Sequence, residues 1–309
     1  MKNIIIFIAI VLLFSCETIV ELDMPEHQPV MVLNSALEAD SLCFVYLTHS
    51  RGAFEQDTIQ SIKNANVTLM QQGSSIEMML DSVVLNLDNP LYYYSYNNPL
   101  KSGCQYSIEV THPDYNSVSS NTRIPQDINL INYDIITDTT ATYNTTLTLN
   151  FIDNIDEENY YSIRLLSTES IAYSDYEDWD YENWYHWDKN YALELYSNDP
   201  SLSQGGIPWD GYAFSGTTAF FNDDLFDGEH KELVLDLNYN LNNLAIGDSL
   251  FLEFSSFSKE AYNYINSIVR SRNSFVSPFG TEPVSIYSNI ENGIGAFIGA
   301  NTLDTLLFP

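Results

Sequence analysis

The sequence predicts an all-β chain: two β-sandwich domains in series, with one short helix in the second. Three observations predict it. Apolar residues recur with a period of two in runs of five to nine, and turn residues bound those runs. Tyr (22) and Phe (16), with many Asn, Ser and Thr, outweigh Lys, Arg and Ala, a balance that favours strands and turns over helices. One segment alone, beginning at Ser258, carries an apolar stripe at helical spacing.

The chain starts with Met1, Lys2 and Asn3, followed by eleven uninterrupted apolar residues, Ile4 to Phe14. A helix needs about 20 such residues to cross a bilayer, so this run does not span. A basic start, a short apolar core and a small residue at the exit mark residues 1–15 as a secretory signal peptide. The exit, Leu13-Phe14-Ser15-Cys16, resembles the bacterial lipobox, although Phe14 is bulkier than the residue usual there. The resemblance implies that Cys16 is acylated and becomes the first residue of the mature chain. One acyl chain gives marginal anchoring, and each further buried methylene adds about 0.8 kcal/mol. A multiply acylated Cys16 would hold the protein on a lipid bilayer without a spanning helix, and residues 16–28 would form an acidic tether.

About 293 residues follow Cys16, enough for two domains. Forty-two acidic against 11 basic residues leave a net charge of −31. Nucleic acid is excluded as a partner, because its binding needs Lys and Arg to neutralise phosphates. The same charge keeps an anchored domain solvated and away from anionic headgroups.

The first domain spans 29–126. Its strands are predicted at 29–37, 41–49, 66–72, 76–80 and 102–110, with a turn at Gly73-Ser74-Ser75. Cys43 shares a face with Val45 and Leu47, and Cys104 shares one with Tyr106, Ile108 and Val110. Both cysteines therefore point into one core, 61 residues apart, as in immunoglobulin-like or fibronectin-like sandwiches. They are either a disulfide, which suits an exported chain, or two separate buried thiols.

Pro125 ends this unit, and the second domain occupies 127–309. Its strands are predicted at 145–153, 159–167, 191–197, 231–239 and 249–257. In the helix, Ser258 serves as N-cap and Ala261, Ile265, Ile268 and Val269 form the apolar stripe. Arg270 and Arg272 suit the negative end of its dipole.

All four tryptophans lie between Trp179 and Trp209, around the stretch "YSDYEDWDYENWYHWDKNY" at 173–191. Trp179, Tyr181, Tyr185 and Trp187 alternate with Asp178, Asp180, Glu182, His186 and Asp188, which fits a strand or hairpin with an aromatic and an acidic face. The aromatic face either covers the second core or forms a platform for a sugar or partner protein. The platform residues would be Trp179, Tyr181, Trp184, Tyr185, Trp187 and Trp209. Calcium is the one cofactor the sequence admits, held by these carboxylates or by "DNIDEEN" at 153–159, but no EF-hand spacing is present. No H-E-x-x-H, G-x-S-x-G, Walker loop, G-x-G-x-x-G or C-x-x-C occurs, and the five histidines are scattered. The chain reads as a binding protein, not an enzyme.

Several stretches resemble one family in its own order: "CETIVELDMPEHQPVMVLNSAL", "IKNANVTLMQQG", "LKSGCQYSIEVTHPDYNSVSSNTRIP", "FFNDDLFDGEHKELVLDL", "SKEAYNYINSI" and "SPFGTEPVSIYSNIENGIGAF". It is the Bacteroidota lipoprotein family catalogued as domain of unknown function 4249. The resemblance implies a surface-exposed outer-membrane lipoprotein that accompanies a TonB-dependent receptor of the SusC type. Only Cys16 carries over as a functional residue, and the tryptophan-rich stretch and the cysteine pair depart from the family's pattern.

Overall fold

The computed structural model describes residues 27–52, 55, 60–83, 91–138, 140, 145–155, 157–174, 184–202, 211–238, 241, 249–274 and 284–308. Residues 1–15, predicted as a signal peptide, Cys16 and nearly all of the predicted tether lie outside the described residues. The chain is all-β with one α-helix among the described residues.

The front half supplies β1 (Met31–Glu38), β2 (Cys43–His49), β3 (Asn66–Gln71), β4 (Ser74–Glu77), β5 (Met79–Val83), β6 (Leu91–Tyr96), β7 (Gln105–His112) and β8 (Tyr115–Arg123). Period-two alternation is plain in β1, whose odd-numbered residues are buried while most of its even-numbered ones face out. β3 and β4 form a tight hairpin through Gln72 and Gly73, both at positive φ (48° and 85°), the twist that two-residue hairpin turns require. β4, β3, β7 and β8 make one sheet, and β1, β2, β6 and β5 lie in another. Between them Met31, Leu33, Leu37, Val45, Leu47, Val67, Leu69, Tyr106, Ile108 and Val110 close a core.

The rear half supplies β9 (Asn129–Thr137), β10 (Thr145–Ile152), β11 (Tyr160–Ser174), β12 (Trp184–Ala192), β13 (Leu195–Ser197), β14 (Phe214–Gly216), β15 (Ala219–Asn222), β16 (His230–Leu237) and β17 (Ser249–Phe257). Helix α1 (Lys259–Ser274) and β18 (Ile294–Phe308) follow. β14, β13, β16, β10 and β9 form a five-stranded sheet over β11, β17 and the end of β18. Their shared core is centred on Phe151, whose ring meets Tyr161, Phe226 and Phe254 edge-on at 5.0–5.8 Å between centroids.

The two halves are not strung in series. β18 runs parallel to β1 from Val32↔Ile294 to Glu38↔Ala300 and antiparallel to β17 from Phe257↔Ala300 to Leu250↔Phe308. One nine-stranded sheet therefore passes through both halves, and its middle strand belongs to both cores. Sequence reading missed β18 because glycines interrupt its alternation. Those glycines are the reason it fits. A Cβ on Gly295 (φ 123°) would lie 2.0 Å from Leu33 O, and one on Gly299 would lie 2.0 Å from Arg123 O.

Of the two alternatives for the cysteine pair, the structure has the separate thiols. Both thiols are buried and free. Cys43 leaves β2 from the large sheet and lies 4.0 Å from Ser35 Oγ, and burial pushes its thiol up to about 12. Cys104 precedes β7 in the facing sheet and receives a hydrogen bond of 3.3 Å from Gln72 Nε2. Each sulfur has its own polar partner, so the core closes without the crosslink.

Gly299→Ala places a side chain against main chain that cannot move without displacing β8. Chemical denaturation should report a loss of about 4 kcal/mol or more, in the range reserved for backbone clashes. A loss under about 1 kcal/mol would mean that the β18–β8 approach does not constrain the fold.

Candidate functional site

A polar cleft of about 350 Å³ opens where the two halves meet. The end of β8 (Asn121, Thr122, Arg123) and the first residue of β7 (Gln105) form one wall. The loop before β11 (Glu157, Glu158, Asn159) forms the second, and Phe257 with the start of α1 (Ser258, Lys259, Glu260) forms the third. Clefts between structural units are common sites for small ligands, and this volume is at the lower end of their range.

The wall chemistry follows from how the halves are fastened. Arg123 Nη1 meets Glu157 Oε1 at 2.6 Å, and Lys259 Nζ meets Glu158 Oε2 at 2.6 Å. Glu158 also accepts from Tyr160 Oη at 2.8 Å. Hydrogen bonds from Lys259 and Tyr160 hold the Glu158 carboxyl below its usual range, and the same pairing raises the Lys259 ammonium. Tyr160 shifts upward, first through burial and then through Glu158. The Lys259–Glu158 pair is about 60% exposed on each side, so it exchanges readily with water and contributes little.

The buried hydroxyl of Ser258 is the stronger fastener. Its Oγ accepts from Ala261 N (3.1 Å), as an N-cap does, and from Gly299 N on β18 (3.2 Å). Thr122 of β8 donates toward the same oxygen at 3.1 Å and toward Glu260 Oε2 at 3.2 Å. One oxygen thus joins α1, β18 and β8. The helix stripe is only partly realised: Ala261 is fully buried, but Val269 is 48% exposed.

Behind the cleft Asn159 leads to an aspartate cluster. Its backbone N–H and Nδ2 donate to Asp223 Oδ2 at 2.8 and 3.2 Å. Asp153 Oδ1 accepts from Tyr161 Oη at 2.7 Å, and its Oδ2 accepts from Gly228 N at 2.8 Å. Oxygens of Asp153, Asp223 and Asp227 lie within 4.8 Å of one another. Burial raises the Asp153 carboxyl, and neighbouring Asp227 adds to the rise; burial and then Asp153 do the same to Asp223. Hard oxygen ligands of this kind suit calcium. The sequence pointed to Asp153 within 153–159 but missed Asp223 and Asp227, which fold back from the turn after β15. The signal available was the Asp-Asp-x-x-Asp-Gly run at 223–228.

Among the described residues, none of the aromatic residues singled out from the sequence lines this cleft. Trp179, Tyr181 and Trp209 lie outside the described residues. Trp184, Tyr185 and Trp187 fall on β12, in register with Ser174, Tyr173 and Ile171 of β11, to which β12 pairs antiparallel.

Fold and cleft together define an all-β protein of two cores joined by a shared strand, with its polar concavity at the junction. The chain belongs to the family described as a domain of unknown function (DUF4249), whose model matches residues 17–305. Comparison with curated proteins finds no match.

Two outcomes test this description. Ser258→Ala strands two buried N–H groups and should cost about 2 kcal/mol in urea denaturation, more than an ordinary cap. Asp223→Asn keeps an acceptor for Asn159 and removes a charge. Both carboxyls titrate above 3.8 in the folded chain, so the unfolded chain ionises first as pH rises. The stability they provide is complete below pH 3.8 and is lost as pH climbs through the raised folded values. The melting temperature of Asp223→Asn should therefore gain on wild type between pH 4 and 7; a constant difference would contradict the raised values.

Proposed function

We propose that the chain is a lipid-anchored lipoprotein on the outer membrane of a Bacteroidota cell, facing the exterior. There it serves as an accessory subunit of a TonB-dependent receptor of the SusC type, binding or admitting that receptor's ligand. One observation carries this reading: Cys16 closes an eleven-residue apolar run, and the family match begins at the very next residue. Among the described residues no helix is long and apolar enough to cross a membrane, so attachment through Cys16 is the route the chain offers. β1 starts at Met31, and the roughly 14 residues between Cys16 and the sheet reach at most about 50 Å when extended. Two proteins confined to one membrane within that reach have a high effective concentration, so a modest interface suffices. We also read the two cores as derivatives of immunoglobulin-like or fibronectin-like sandwiches, which the inward alternation on both sheets of each core supports.

A second reading is an independent glycan-binding lipoprotein that uses the β11–β12 strand pair. It is favoured by one feature: β17 pairs β11 only as far as Thr168, whereas β12 follows it to Ser174, leaving a two-stranded ribbon beyond the sheet.

Cys16→Ala should leave the membrane fraction and lose co-purification with the receptor. Retention of the receptor at normal yield would overturn the tethering reading. Loss of glycan retention in a Trp184→Ala, Trp187→Ala variant, with receptor co-purification intact, would favour the second.

A further inference from the structure

The open side of the second core carries a long strand edge whose ladder with β10 is interrupted once among the described residues, by a bulge at Ile131, and is regular from Asn132 to Thr137. β9 is the last strand of the five-stranded sheet and, among the described residues, pairs with β10 alone. Leu130 and Ile135 root it in the core, while Ile131 (49%), Tyr133 (37%) and Ile136 (62%) stay exposed. The other sheet is open on the same side. β18 leaves β1 at Ala300, and from Asn301 to Phe308 its described pairing is with β17 only. Tyr133 Oη donates to Leu306 O at 3.3 Å, which brings the two edges together, and Leu306 and Phe308 are exposed beside it.

Proteins blunt such edges with Lys, Pro, bulges, a short strand or a cover, because a row of unpaired N–H and C=O groups accepts any extended chain. Three other outer strands are short, β14 with three residues, β4 with four and β5 with five; of the two long ones, β12 carries Lys189 and β8 is bridged at Ser119 to Glu291. β9 has nine, "NLINYDIIT", with neither Lys nor Pro. An unpaired ladder specifies its occupant, another extended strand.

Charge decides whose strand it is. No Lys, Arg or His occurs from Ile124 to Ile163 or from Ile294 to Phe308, while Asp127, Asp134, Asp138 and Asp304 do. A second copy would bring this acidic side against itself, on a chain of net charge −31. We propose that β9 is a strand-addition site for an extended, Lys/Arg-bearing segment of a different protein. The site does not depend on the anchor at Cys16 or on the receptor reading.

The test uses the full mature chain and hydrogen–deuterium exchange with two nine-residue probes, one alternating lysine and valine, the other glutamate and valine. The lysine peptide should slow exchange at β9 amides at least tenfold, with no change in inner strand β16, and the glutamate peptide should not. Ile131→Lys with Ile136→Lys, both at exposed positions, should abolish the effect while β16 protection shows that the fold persists. A photo-crosslinker at Ile136 in cells should join to an extended segment rich in Lys or Arg on another protein. No protection by the lysine peptide, equal protection by both peptides, an adduct with a second copy of the chain, or no adduct would each overturn the proposal.

Discussion

The fold depends on one close approach of main chain to main chain. At Gly299, β18 lies against Arg123 O of β8 while its own N–H and C=O serve Ser258, and Leu37 of β1 is its partner in the parallel ladder. Four elements from opposite ends of the sequence meet there, and only a residue without a side chain leaves room. Asn301, two residues on, donates to Pro125 O and Asp127 Oδ1, so the segment between the two halves is fixed to the same strand. β18 therefore sets the relation of the halves, and the cleft is a consequence of that relation. Its walls come from β8, the loop before β11 and the start of α1, which β18 brings within reach of one another, so that Arg123 meets Glu157, Lys259 meets Glu158 and Thr122 meets Glu260 directly.

Cations are scarce in this chain, and the described ion pairs place them at joints. Arg123 and Lys259 tie the front half and the helix to the loop before β11. Arg164 grips Glu253 with two bonds of 2.9 and 2.7 Å across β11 and β17. Lys231 and Asp199 form the most enclosed pair, 13% exposed on each side. There burial pushes the Asp199 carboxyl up, yet hydrogen bonds from Lys231 and Ser201 outweigh it and the net shift is downward. Asp153 and Asp223 are the contrast. They are more deeply buried and pair with no Lys or Arg among the described residues, so burial outweighs the donors from Tyr161, Gly228 and Asn159 and both shift upward. The same residue type is stable in two ways, and the nearest cation decides which.

The legible part of the fold was the part written in local alternation. β1, β2, β10, β16 and β17 fall within a residue or two of their expected spans, and Ser258 caps the helix as its sequence context predicts. β18 was not legible, since a glycine-interrupted strand has no period of its own and acquires meaning only from what packs on it. β9 was not legible either, because its apolar residues, lying at a sheet edge, do not alternate cleanly. The cleft could not be read at all. Glu157, Arg123 and Lys259 are ordinary surface residues in the sequence and become a set only through long-range pairing. The cysteines show the opposite limit: both faces were assigned correctly, but a shared core does not by itself bring two sulfurs to bonding distance.

The path of the chain also says how such a protein would bear load. An anchor at Cys16, as proposed, would pull on the start of β1, which is an interior strand with β2 antiparallel on one side and β18 parallel on the other. Force along a strand flanked on both sides must shear two ladders at once, whereas force on a terminal edge strand opens its bonds one by one. Val30 N is further held by Ser50 Oγ at 2.9 Å, so the exit of the tether is fixed before the ladders begin. From β1 the load passes directly to β18, and through β18 to β17 and the second core. The strand that joins the two halves is thus also the one that transmits the pull of the tether to both of them, and the open edge at β9 lies off that path, free to take up a partner while the anchor is under tension.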